Sequence, residues 1–345
     1  DEYSLIVADL EDLDEDGLER IDQPLSAHPR TSVVIVKENA SAAYLLKAMR
    51  VGVRDVIIPD SEDVMATAIG RHVARSQVQI DTRRKKKGRL IAMMPAKGGS
   101  GATFLAANLA YVLSTKGNRV ALIDMNLQFG DTMLYLTEKH PAANIATLAR
   151  DAERLDQSLL ESSMVRVSDN LWVLGSPESP EESVVVSAGF VNQILRLAGE
   201  HFDFIVLDVG RILEAVTVHA LDDAEAIFLV MQATLPGLYD TRRLVTVLNS
   251  LGYGRDKISV VVNRAEKNSE IGAAEISKAL GYAVAVSVPN SFTNVLYSIN
   301  HGVPIAKSAP KDGVTLALER WADSVTVGAR AIESGRGGWR GGVGG

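Results

Sequence analysis

Leu90-Ile91-Ala92-Met93-Met94-Pro95-Ala96-Lys97-Gly98-Gly99-Ser100-Gly101-Ala102-Thr103 is the stretch that decides the fold of this chain. Its first five residues are apolar and read as a buried strand. Glycines then break the pattern, and a helical apolar period runs over residues 104–114. Strand, glycine-rich turn and helix in that order make a context in which backbone can hold phosphate. Glycines let successive N–H groups turn inward on an anion, and the free N–H groups of the helix start aim at the same point. Thr103 stands where a hydroxyl can reach Mg²⁺. The plainer reading is an ordinary glycine turn between strand and helix. The strict phosphate-loop pattern G-x-x-x-x-G-K-[ST] is missed twice, because Ala96 replaces its first glycine and Ala102 its lysine.

Working outward, further strands are predicted at residues 120–123, 171–174, 204–207, 226–230, 259–262 and 283–287. Most are continuous apolar runs, as expected of strands covered on both faces. Helical patterns lie between them, at residues 183–198 and 239–250 among others. With the strand at 90–94 this predicts a doubly wound α/β domain on a mainly parallel sheet. Upstream, strands at residues 4–9, 32–36 and 55–58 alternate with helices over 42–51 and on to about residue 80. That βαβαβα fragment implies a second parallel sheet. Between the two lies Arg83-Arg84-Lys85-Lys86-Lys87-Gly88-Arg89, six of whose seven residues are basic. It reads as an exposed linker, with a nucleic-acid or acidic-lipid patch as the alternative. Residues 335–345 are mostly glycine and cannot bury a core, so a disordered tail is expected. The layout is residues 1–82, linker 83–89, residues 90–334 and tail 335–345.

Composition agrees with two folded units. The chain has 345 residues, 46% apolar and 23% charged, which suits about two domains of roughly 150 residues each. It has no cysteine. That excludes a disulfide framework, a thiolate zinc site, an iron–sulfur cluster and a cysteine nucleophile. A formal net charge of −7 speaks against global attraction to DNA or to an anionic membrane. No apolar run approaches the roughly 18 residues of a membrane span, and no signal peptide opens the chain. A soluble cytoplasmic protein, without direct membrane insertion, is the expectation.

Lys97-Gly98-Gly99-Ser100-Gly101-x-Thr103 resembles the deviant Walker A loop, KGGxGK[TS], of the ParA/MinD superfamily, and Lys97 matches its extra signature lysine. Val120-Ala121-Leu122-Ile123-Asp124-Met125-Asn126 resembles the second acidic motif, usually D-x-D; Asn126 stands where the water-orienting aspartate would sit. Phe202-Asp203-Phe204-Ile205-Val206-Leu207-Asp208 resembles the Walker B strand, which ends in the acid near Mg²⁺. Val261-Val262-Asn263-Arg264 resembles the strand-end asparagine that hydrogen-bonds adenine, and Val288-Pro289-Asn290 the loop closing over the base. The resemblance covers about residues 89–330. It implies a P-loop NTPase domain of ParA/MinD type that takes ATP and Mg²⁺. The nucleotide would lie on Lys97, Gly98, Gly99, Ser100, Gly101, Ala102, Thr103, Asp124, Asp208, Asn263, Arg264 and Pro289. Thr103, and Asp208 through water, would face the metal. Each motif alone has a plainer reading: Asp124 and Asp208 as caps of the following helices, Asn263 as a turn residue.

Absent residues separate the branches. The nitrogenase iron protein and the arsenical pump ATPases need cysteines, and bacterial tyrosine kinases carry a tyrosine-rich tail, whereas no tyrosine follows Tyr297. MinD anchors through a basic amphipathic C-terminal helix. Here residues 314–332 carry mixed charge, so Leu318, Trp321, Val325, Ala329 and Ile332 read as core packing. Gln128-Phe129-Gly130-Asp131, Ser176-Pro177-Glu178-Ser179-Pro180-Glu181-Glu182 and Asn300-His301-Gly302-Val303-Pro304 look like the TadZ/CpaE proteins of tight-adherence (Flp) pilus assembly. That family often lacks the P-loop lysine and carries an N-terminal receiver-like domain of flavodoxin-like fold. Leu5-Ile6-Val7-Ala8-Asp9-Leu10 resembles the receiver strand ending in the phosphoacceptor, which would be Asp9. Ala48-Met49-Arg50-Val51-Gly52-Val53-Arg54-Asp55 resembles the stretch before the last receiver strand. Ile58 replaces the receiver lysine before Pro59, and Lys37 or Glu38 the switch hydroxyl, so Asp9 reads as vestigial and the domain as a docking module.

This likeness implies a homodimer whose nucleotide loops face each other, with Lys97 reaching the partner's phosphates. It also implies weak or absent ATP hydrolysis, positioning at the cell pole by a localisation factor, and contact with the pilus secretion ATPase and other Tad/Flp components. No specific nucleic acid is expected. An active ParA/MinD-type ATPase switch and a ParA-like DNA-partition protein are the alternatives.

Overall fold

The computed structural model describes residues 88–333 except 140, 142, 267 and 268, and, nearer the N-terminus, residues 5–9, 17, 18, 20, 32–37, 39–41, 44, 45, 47, 48, 51, 53 and 55–57. The chain divides into two units, Asp1–Lys86 and Lys87–Gly345. The second helix expected in the first unit, most of the basic linker and the glycine-rich tail lie outside the described residues.

In the first unit, β1 (Leu5–Asp9), β2 (Ser32–Val36) and β3 (Asp55–Ile57) pair in parallel in the order β1-β2-β3. The central strand buries Val33, Val34, Ile35 and Val36, and Val33 and Ile35 pack with Leu18, Tyr44, Ala48 and Val53. Tyr44, Leu45, Lys47 and Ala48 are helical, within the helix expected over 42–51.

The second unit is built on one sheet of eight strands: β4 (Arg89–Pro95), β5 (Val120–Met125), β6 (Val165–Ser168), β7 (Leu171–Leu174), β8 (Phe204–Val209), β9 (Ala226–Gln232), β10 (Ile258–Ala265) and β11 (Val284–Pro289). Their order is β11-β10-β9-β4-β8-β5-β7-β6. All pairings are parallel except β6 with β7. The connecting helices are α1 (Ala102–Thr115), α2 (Ile145–Arg150), α3 (Gln157–Ser163), α4 (Ala188–His201), α5 (Ala215–Asp223), α6 (Leu235–Ser250), α7 (Ala273–Leu280), α8 (Phe292–Asn300), α9 (Ile305–Ser308) and α10 (Gly313–Glu333). The seven expected strands are all present. The helix expected over 183–198 is instead a 3-10 turn, Pro180–Val185, followed by α4, which Ser187 caps by accepting from the Phe190 N–H.

Alternation along each strand feeds two cores. Ala92 and Met94 of β4 face Phe190, Ile194 and Leu248 from α4 and α6. Ile91 and Met93 face Leu105 and Leu109 of α1 and Leu318 and Trp321 of α10. Trp321 is fully buried and meets Phe228 edge-on, ring centroids 5.0 Å apart. Leu318, Trp321 and Val325 thus form the core stripe expected of the last helix; the side chains of Ala329 and Ile332 lie outside the described residues. Among the described residues no helix is long and apolar enough to cross a membrane.

Arg89, read from sequence as the end of the linker, opens β4. Its N–H donates to the Asp203 carbonyl, and its guanidinium pairs with Glu225 at 2.8 Å. Gly88 packs so closely that a Cβ there would overlap the Phe202 carbonyl.

β4 lies between β8 and β9, with β5 beyond β8. The chain therefore leaves β4 in one direction and later returns to its other side. Loops from opposite sides open a crevice at the carboxyl ends of such strands, where open α/β sheets take their ligands.

Candidate nucleotide site

The loop after β4 is tied at both ends. The Ala96 N–H donates to Val230 O, the Ser100 N–H closes a turn onto Lys97 O, and the Leu105 N–H starts α1 by donating to Gly101 O. Gly99 and Gly101 take left-handed backbone at φ 77 and φ 90, a conformation that costs other residues energy. Gly101 is the N-cap of α1, and no side chain caps that helix. Its first N–H groups are left for a ligand, and the helix dipole favours an anion there. Lys97, Gly98 and Gly99 are exposed, while Ser100 and Ala102 are buried. The Ser100 hydroxyl is buried with no partner. Ala102 supplies only a buried methyl where a lysine would bring charge.

Two side-chain amides hold the back of the loop. Gln232 Nε2 donates to Gly99 O at 3.1 Å, and Asn263 Nδ2 donates to Ser100 O at 2.8 Å. Asn263 Oδ1 accepts from the Arg264 N–H at 2.9 Å. A Cβ on Gly101 would stand 2.3 Å from Asn263 Nδ2. Asn263, read from sequence as a base contact, is buried at 6% exposure with one amide N–H on the loop. Arg264 beside it is exposed and has the left-handed φ of 51, the only such non-glycine residue among those described. Pro289 ends the neighbouring β11, where the Asn290 N–H donates to Ala265 O. Gln232 was missed in the sequence. Its signal was a polar residue closing the apolar run of β9 at the sheet's ligand edge.

The acidic side is built on β5 and β8, whose register sets Asp124 directly opposite Asp208. Both are buried, at 0% and 2% exposure. Thr132 bridges them: its hydroxyl lies 2.8 Å from Asp124 Oδ2 and 3.1 Å from Asp208 Oδ2. The N–H groups of Thr132 and Asn126 also donate to Asp124. The Thr103 side chain lies near enough to Asp208 to favour its ionised form, which brings the last residue of the loop motif to the Walker B-like acid. Burial pushes the Asp124 carboxyl up to about 6, against the hydrogen bonds from Thr132 and Asn126. Burial, then the Asp124 charge, holds Asp208 well above the ordinary carboxylate range. Thr132 was not singled out in the sequence, because an Asp-Thr pair eight residues past a strand end carries no motif.

Gly130 explains the tight return of this loop. A Cβ there would lie 2.4 Å from both oxygens of Asp124. Ser176 Oγ donates to Gly130 O, so the segment after β7 braces the same turn. Asn126, expected from sequence at the water-orienting position, donates its side-chain amide to Phe129 O.

Thr103 and Asp208 offer hard oxygen donors of the kind Mg²⁺ takes, and would be the residues that face such an ion. Among the described residues no group of three His, Asp or Glu side chains could hold a metal alone. The donor set therefore fits an ion that arrives with a polyphosphate. A positive ion there would also favour the ionised form of the buried pair.

Comparison with known proteins agrees with this geometry. Residues 88–257 match the family AAA_31, described as an AAA domain. The septum site-determining protein MinD of Thermotoga maritima is 24% identical over 225 residues, covering 64% of this chain and 81% of that protein. The crystal structure of a ParA family ATPase from Chlorobium tepidum is 28% identical with a TM-score of 0.65, covering 68% of this chain and 98% of that one. MinD of Pyrococcus horikoshii in complex with Mg-ADP shares the fold at 20% identity and a TM-score of 0.62, covering 71% and 98%. With a glycine loop between β4 and α1 and paired acids on β5 and β8, the domain that begins at Gly88 is similar to proteins of the ParA/MinD superfamily and has the P-loop fold of that type.

Proposed function

We propose that the chain binds ATP at the loop of residues 97–103 and turns it over slowly or not at all. The observation that carries this is a loop shaped for an anion, with an uncapped helix start, in which buried Ala102 stands in the lysine position. A charged hydrogen bond is worth about 1.5–3 kcal/mol, so its absence weakens binding by roughly one to two decades. Backbone N–H groups remain to hold the phosphates. Asn126 cannot accept a proton from an attacking water as a carboxylate would. Bound Mg²⁺ would neutralise phosphate charge; Thr103 and Asp208 are the residues that would face it. The Mg-ADP complex of the P. horikoshii protein supports the cofactor pairing. Calorimetry with ATP tests the first half, and absence of binding at millimolar nucleotide refutes it. A metal-dependent turnover near 1 per second that Asp208→Ala abolishes refutes the second.

The finer reading is a TadZ/CpaE-like localisation and assembly factor for the tight-adherence pilus machinery. Its homodimer would be joined across the nucleotide loops through Lys97. The first unit would be a degenerate receiver that docks partners. Its order β1-β2-β3 supports this, because the flavodoxin-like order 2-1-3-4-5 ends in three sequential strands. Co-purification with the pilus secretion ATPase, lost on deleting residues 1–82, tests it. A second reading, an active ATPase switch, is favoured by the retention of both Asp124 and Asp208 and by the MinD and ParA relatives. MinD of Aquifex aeolicus is seen in complex with MinC, which supports a search for a protein partner on either reading.

A further inference from the structure

The two amides behind the loop occupy one register position. Gln232, the last residue of β9, and Asn263, two residues before the end of β10, are Cα partners. They donate to consecutive carbonyls, those of Gly99 and Ser100. Because each peptide unit is planar, fixing a carbonyl fixes the N–H of the next residue, which points the opposite way. Holding Gly99 O sets the plane whose N–H closes the turn onto Lys97 O. Holding Ser100 O sets the plane that carries the Gly101 N–H, at the mouth of α1. The absence of a side chain on Gly101 leaves Asn263 room to approach.

We propose that Gln232 and Asn263 are positioning residues, a two-amide clamp that keeps the phosphate-binding loop in its anion-binding shape before a ligand arrives. The inference rests on the reading of the loop as a polyphosphate site. In a loop whose helix begins with Ala102, orientation of backbone N–H groups carries the affinity that charge does not, and a preformed loop binds without an ordering cost. Asn263 therefore acts on any polyphosphate and not on the base. One N–H of its amide is on Ser100 O and its oxygen accepts from the Arg264 N–H.

The test uses the full chain with Gln232→Met and Asn263→Leu, which approximate the native shapes and lack the donor. In ligand-free protein, hydrogen–deuterium exchange of peptides spanning residues 96–103 should quicken by about fivefold in either variant, the loss of one ordinary hydrogen bond. By calorimetry, ATP, GTP and inorganic tripolyphosphate should weaken by one common factor, about fivefold. Unchanged loop exchange in Gln232→Met overturns the clamp. So does an Asn263→Leu protein that loses ATP affinity while holding tripolyphosphate as tightly as the wild type, because the amide would then be reading the base. A wild type that binds none of the three ligands, with loop exchange still raised in the variants, refutes the nucleotide reading and supports the clamp. Should Asn263→Leu not fold, Gln232→Met, at a half-exposed position, decides alone.

Discussion

Replacing Gly101 with alanine tests how closely the loop is fitted to Asn263. Two penalties add. Left-handed backbone costs an L-residue about 1–2 kcal/mol, of which roughly 0.5 is recovered from the stiffer unfolded chain. The new methyl would also stand 2.3 Å from Asn263 Nδ2, so the amide must leave Ser100 O. An unsatisfied buried polar group costs about 1–3 kcal/mol. We expect a loss of about 2–4 kcal/mol in urea unfolding. Gly99→Ala is the control: its φ is 77, and a Cβ there meets nothing within 4 Å, so only the backbone penalty of about 1 kcal/mol remains. In an Asn263→Ala background the Gly101→Ala penalty should fall to the Gly99→Ala value. Equal losses for the two glycine variants in the wild-type background would refute the close fit.

Asp124 and Asp208 bind protons more tightly when folded, so between about pH 4 and 6 the folded state holds more protons and stability falls as the pH rises. Asp124 alone, moving from 3.8 to about 6, contributes a loss on the order of 3 kcal/mol; urea unfolding across that range should flatten in Asp124→Asn, and an unchanged slope contradicts the burial argument. Ala102→Lys should tighten ATP by roughly one to two decades in calorimetry; no gain would show that missing charge does not limit affinity. Trp321→Ala should cost about 3–5 kcal/mol, read by calorimetric melting; a loss below about 1 kcal/mol would deny the contact with Phe228 its part in the core.

The strands around the loop could be read from sequence because both of their faces are covered. Ile91, Ala92, Met93 and Met94 form an unbroken apolar run only because α4 and α6 lie on one side and α1 and α10 on the other. The strand at 165–168 escaped for the opposite reason. Val-Arg-Val-Ser is short and no member of it is buried, so it has neither an apolar run nor a length that periodicity can detect. The loop and the two acids could be found because their spacing within the chain is local. Gln232 and Thr132 could not, because they reach the site through strand register and a returning loop. Asn263 reads from sequence as a base contact; its burial beside Gly101 adds a partner within the chain, the Ser100 carbonyl, which strand register supplies.

β6 contributes little to either core, yet it sits at the margin of the sheet. Without it, Leu171-Trp172-Val173-Leu174 would present its free backbone edge to any passing strand, a common start for runaway association. β6 runs antiparallel along that edge, its register broken between Arg166 and Ser168, and Arg166 is paired with Asp169 at 3.3 Å. A charged, irregular strand is a poor template for the next one. The hairpin works as a selvedge, finishing the sheet so that it does not unravel into its neighbours while many copies fold at once in a crowded cell.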